Sequence, residues 1–180
     1  MKKIIILSLV IVGISVALFV YIKTLGSKQE EDTNNTNIKT QQESSSEDVI
    51  VTVSVPDGWI KNEDSVLEHQ YQKGTASFLI KKESFASTEL DTIVTSAKTI
   101  FSDTFDNVEY VGDVEDINID GNDAKSIVFS SSVMNLEMKY KYVYTIVNNT
   151  VYAITFGDLA SSFDSNSADY TIILESIKFE

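Results

Sequence analysis

The chain has 180 residues, 43% of them apolar and 23% charged, which is enough for one ordinary domain once non-globular parts are set aside. Fourteen lysines and no arginine stand against 27 acids, and the net charge of −13 repels phosphate backbones and anionic lipid, which argues against a nucleic-acid partner. The absence of cysteine rules out a disulfide, a thiol nucleophile, a thiolate metal site and a lipid-modified cysteine, and the single histidine, His69, leaves most imidazole chemistry out of reach.

Residues 1–3 form a short tail that is expected to be cytoplasmic, and residues 4–22 carry no charge. At about 1.5 Å per helical residue the apolar run spans roughly 28 Å, close to the ~30 Å hydrocarbon core of a bilayer. Ser15-Val16-Ala17 resembles a leader-peptide cleavage site, but Leu18-Phe19-Val20-Tyr21-Ile22 continues the apolar run past it, which favours a retained transmembrane signal anchor. A three-residue tail can fold into nothing. The expected arrangement is therefore a single-pass cell-membrane protein, with the lipid bilayer its partner through 4–22 and its C-terminal part on the extracytoplasmic side. Residues 23–48 hold two large apolar side chains, Leu25 and Ile38, among polar ones, and read as a flexible linker with a mean reach of about 25–30 Å.

From Val49 the apolar density rises, and residues 49–180 form one domain in which 9 lysines face 21 acids. The β-branched run 49–55 stops at Pro56-Asp57-Gly58; 66–71 and 75–82 flank Lys73-Gly74; 108–119 leads to the turn Asp120-Gly121-Asn122-Asp123 and a strand over 124–133. A further hairpin joins 136–147 to 151–156 through Asn148-Asn149-Thr150. Leu90, Ile93, Val94, Ala97, Ile100, Phe101 and Phe105 recur at helical spacing behind Ser87 or Thr88 as N-cap. Tyr170, Ile173, Leu174 and Ile177 do the same after the cap-rich run 164–167. The expected class is α+β: a central, mostly antiparallel sheet of about seven strands with helices packed on its faces.

Seven scattered glycines cannot write a dinucleotide turn, a phosphate loop or a nucleophile elbow. His69 lies among polar neighbours on a strand and reads as a solvated surface residue, so no catalytic residue and no cofactor is assigned. Asp116, Asn118 and Asp120, followed by Gly121, match the first half of a calcium loop, but Ile127 stands where the bidentate glutamate belongs. A strand ending in a polar turn accounts for them better, and the three remain weak metal candidates only. The alternative to a protein-binding role is weak divalent-cation or small-ligand binding by the acidic segment 113–123. Period two places Met138, Tyr140, Tyr142 and Tyr144 on one strand face, read as the inner face, with Lys139 and Lys141 opposite. Trp59 reads as a plug at the end of the sheet.

Val53-Ser54-Val55-Pro56-Asp57-Gly58-Trp59, the mid-chain helix, the turn at 120–124 and the closing Ile173-Leu174-Glu175-Ser176-Ile177-Lys178-Phe179 together resemble PsbP-like domains over residues 49–180. The resemblance implies a central antiparallel sheet between helices, a fold shared with a Ran-binding nuclear import factor. It also implies a non-enzymatic binding or assembly module, since those relatives are an extrinsic photosystem II subunit and a GTPase partner. Anchored, lysine-rich and free of arginine, the chain resembles the PsbP-related surface proteins of low-GC Gram-positive bacteria more than a thylakoid-lumen subunit. The expected partner is a cell-envelope protein.

Overall fold

The computed structural model describes residues 49–180, so the expected tail, anchor and linker lie outside the described residues. Among the described residues no helix is long and apolar enough to cross a membrane. In chain order the elements are β1 (Val51–Thr52), β2 (Ile60–Lys61), β3 (His69–Lys73), β4 (Ala76–Glu83), α1 (Leu90–Thr104), β5 (Asp106–Tyr110) and β6 (Glu115–Ile119). There follow β7 (Asn122–Val133), β8 (Leu136–Val147), β9 (Thr150–Leu159), the short α2 (Ala160–Phe163), a 3-10 turn at Asp164–Asn166, α3 (Ser167–Ser176) and β10 (Lys178–Phe179). The class is α+β, with two helices longer than two turns.

The main sheet runs β2-β3-β4-β9-β8-β7, and β5 and β6 share the outer edge of β7. Every pairing is antiparallel. β9 lies in the middle, and its sequence TVYAITFGDL is buried at eight of ten positions because both faces of the sheet are covered. On one face α1 presents Ile93, Val94, Ala97 and Phe101 to Ile127, Phe129 and the tyrosines of β8. On the other, Tyr170, Ile173 and Leu174 of α3, with Val51 and Trp59, cover Phe78, Ile80, Val143, Ile154 and Phe156. Phe78, Phe101, Phe129 and Phe156 are wholly buried, and each such side chain stabilises the fold by about 2–3 kcal/mol.

Several local expectations give way to tertiary structure. The strand expected over 49–55 shrinks to two residues, since its one partner is the two-residue β10. Val53 and Val55 still pack on the core, so the alternation there records burial without pairing. Residues 66–68 form a loop, with Val66 97% exposed, and the strand begins at His69. The run 108–119 breaks at Val111–Val114, where Gly112 takes a left-handed backbone (φ 72°), and becomes β5 and β6. The segment expected to stop at Phe156 runs on to Leu159. Glu89, with an extended backbone and no side-chain capping bond, is the N-cap of α1. Ser87, one of the two expected caps, accepts the Glu89 amide through Oγ at 3.0 Å.

Candidate functional site

Two carboxylates of the acidic segment, Asp116 and Asp120, are held by ammonium groups of the chain itself. Asp116 Oδ1 lies 2.6 Å from Lys125 Nζ, which also reaches Asp91 Oδ1 on α1 at 3.0 Å. These two hydrogen bonds raise the Lys125 pKa. Asn118 Oδ1 accepts the Gly121 amide at 2.8 Å, which closes the turn. Asp120 accepts from Lys178 Nζ at 2.8 Å and from the Phe179 amide at 2.9 Å, and those donors hold its carboxyl below the ordinary range. The three residues singled out in the sequence thus serve three separate partners. Ile127, at the position of the missing glutamate, is buried in the core. Among the described residues no group of three or more His, Asp or Glu side chains is arranged to hold a metal.

His69 is half-buried against β1, which corrects the expectation of a solvated side chain. Its Nε2 lies 2.9 Å from the Val51 carbonyl, and the Nε2–H tautomer is the one that can donate there; Nδ1 is buried with no hydrogen-bond partner. Trp59 is the plug expected of it. It is 7% exposed, meets Phe78 and Tyr170 edge-on, and donates Nε1–H to Asp169 Oδ2 at 2.8 Å. The same oxygen takes Lys73 Nζ at 2.6 Å, and Lys73 first, then Trp59, keeps the Asp169 pKa low.

The tyrosine face of β8 lies under α1. Met138, Tyr140, Tyr142 and Tyr144 are each at most 3% exposed, and Tyr142 packs 4.6 Å from Phe101, ring centroid to ring centroid. Burial drives all three tyrosine pKa values up, and the Glu83 charge adds to it for Tyr142 and Tyr144. Gly157 makes room for this layer: a Cβ there would stand 3.0 Å from Tyr140 Cδ1. Beside the tyrosines, Lys81 and Glu83 form a buried pair on β4 at 2.6 Å. The contact is an ion pair in which neither Lys81 Nζ nor Glu83 Oε1 makes a hydrogen bond. These hydroxyls and charges are enclosed in the core.

The three buried charged groups among the described residues, Lys81, Glu83 and Asp158, were not singled out from sequence. Asp158 is wholly buried at the end of β9 and accepts four hydrogen bonds, from Thr75 Oγ1, its neighbour's amide at Leu159, Ser162 Oγ and Asn166 Nδ2. A Gly-Asp pair closing an apolar run was the available signal, but it reads as a turn.

Exposed apolar side chains include Ile50, Ile60, Val66, Val111 and Ile172, and one group of them sits on a hairpin at an end of the sheet. The hairpin between β7 and β8 turns on Met134 (φ 52°) and Asn135 (φ 64°). Met134 is 75% exposed, Leu136 is 41% exposed, and Val133 is half-buried below them. The neighbouring register row carries Asp106, Ser132 and Glu137, with both acids exposed. At the opposite end of β7, the turn residue Asp120 grips β10, and β10 pairs with β1, the first strand of the described residues.

No family model matches the chain, and no curated protein matches it. Solved structures do. LpqN, involved in cell envelope biogenesis of Mycobacterium tuberculosis, is similar at a TM-score of 0.59 and 12% identity, covering 76% of this chain and 87% of that one. Protein PA94 of Pseudomonas aeruginosa, of unknown function, gives 0.51 and 12% identity, covering 71% and 81%. The cyanobacterial PsbP of Synechocystis gives 0.48 and 10% identity, covering 79% and 99%. At 12% identity, the first two likenesses concern the fold alone.

Proposed function

We propose that the chain is a single-pass membrane protein that displays a PsbP-like domain outside the cytoplasm, where it binds or assembles with another envelope protein and catalyses nothing itself. The observation that carries this role is the polarity of the domain. The linker joins at β1, which the C-terminal strand clasps at one end of β7, while the other end of β7 projects an exposed apolar turn. A domain held at one end and open at the other suits presentation to a partner. The role of LpqN in envelope biogenesis agrees with an envelope setting. The interior polar groups, paired in the core or folded into the tyrosine layer, supply rigidity in place of reactive chemistry.

Protease added to intact cells should remove the domain, and full protection would overturn the topology. Crosslinking of the full-length protein in its native membrane should then capture one reproducible envelope protein. Empty capture alongside efficient controls would overturn the binding role in favour of a small ligand or cation at 113–123.

A further inference from the structure

Among the described hairpins, two-residue turns with a left-handed backbone are built from Asp120-Gly121 and Asn148-Asn149, residue types that tolerate it. The hairpin between the two longest strands, 12 residues each, puts Met134 there instead. A bulky side chain with φ 52° is strained, and at 75% exposure it recovers little of that strain through packing. Leu136 adds a second exposed apolar group beside it. Both cost solubility and add little to the fold.

Resting on the binding role proposed above, we infer that the β7–β8 turn is the docking element, with Met134 and Leu136 entering an apolar cleft on the partner. The occupant is an envelope protein whose cleft has a basic rim. Charge complementarity gives the rim its sign: Asp106 and Glu137 stand in the register row next to the tip, and the domain as a whole carries 21 acids against 9 lysines. The tip stands at the end of β7 remote from the tethered end, which favours a protein over the bilayer as occupant. β10, which pairs with β1 where the linker joins, is bonded to the turn before Asn122, and β7 carries the tip about 36 Å from there at roughly 3.3 Å per residue. The acidic surface also repels anionic headgroups.

The test uses the full-length protein in its native membrane, with a photo-crosslinking amino acid at Asn135 or, as the control at the other end of the sheet, at Asn149. Capture of a protein other than a second copy from Asn135 but not from Asn149, weakened as salt rises, is the expected result. Met134→Asn should raise the melting temperature, since asparagine tolerates this backbone, while cutting capture by roughly tenfold through loss of one buried methionine contact. Greater stability with lost binding separates docking from misfolding. Undiminished capture by Met134→Asn, capture from Asn149 alone, salt-independent capture, or crosslinks only to a second copy would each overturn the assignment and leave the broader binding role standing. No capture from either position, with crosslinking of the full-length protein also empty, would overturn both.

Discussion

Thr75 donates its hydroxyl to Asp158 Oδ1 at 2.6 Å, which ties the turn after β3 to the end of the central strand. Three further donors meet the same carboxylate, among them Asn166 from the turn that leads into α3. Asp158 therefore fixes where α2 and α3 leave the sheet. Asp158→Ala should destabilise the domain by about 2–4 kcal/mol, the cost of leaving several buried donors without an acceptor. Asp158→Asn, which keeps one acceptor oxygen, should lose less. Urea unfolding of the two variants against the parent checks the order, and equal stability of all three would refute the role.

Lys81 and Glu83 are 7% and 2% exposed at their side chains, so neither charge is well hydrated without the other. Lys81→Met should cost about 3–5 kcal/mol because it strands a buried carboxylate. The double variant Lys81→Met with Glu83→Leu should recover most of that loss, since an apolar pair of similar size fits the same layer. A double-mutant cycle measures the coupling. Additive losses would mean that the two groups act independently.

The two pairs also mark the limit of what residue patterns reveal. The alternation in 136–147 is legible because β8 places Met138, Tyr140, Tyr142 and Tyr144 under one helix, so burial follows period two. Lys81 and Glu83 sit on a strand whose alternation would put them on a polar face. Their burial comes from what packs on that face, which is far away in sequence. Gly157-Asp158 has the composition of a turn, but the glycine clears the ring of Tyr140 and the aspartate answers donors from three other segments. The calcium-like spacing of Asp116, Asn118 and Asp120 fails for a related reason. On β6 and its turn the first two carboxylate or amide groups meet Lys125 and Gly121, and the third meets β10, 58 residues on. The left-handed backbone at Met134 has no sequence signal, because methionine is not a turn residue.

Asp169 predicts how stability responds to acid. Its folded pKa lies below the unfolded carboxylate value of about 3.9, so the stability it contributes is fully present above that value and is lost as pH falls through the folded pKa. Asp169→Asn should flatten the loss of stability below about pH 4. Trp59, the one tryptophan of the chain, donates to this carboxylate and reports its state by fluorescence. An acid transition of unchanged steepness in the variant would exclude Asp169 as a contributor.

The C-terminal strand should control how firmly β1 is held. Ile50 and Glu180 exchange two backbone hydrogen bonds at 2.8 and 2.9 Å, and Phe179 lays its ring 4.9 Å from that of Tyr152. Asp120 adds bonds to Lys178 and to the Phe179 amide. Truncation after Ile177 removes all of these together with the β1–β10 pairing and should cost about 2–4 kcal/mol. The contact of His69 with the Val51 carbonyl and the bond from the Ser54 amide to Ser176 Oγ survive the truncation. Hydrogen exchange should therefore accelerate sharply at the Ile50 amide while Ser54 stays protected, confining the loosening to β1 and the residues just before it. Unchanged protection at Ile50 would show that β10 does not hold β1, and equal loss at Ser54 would show that the whole segment 50–55 docks as one unit.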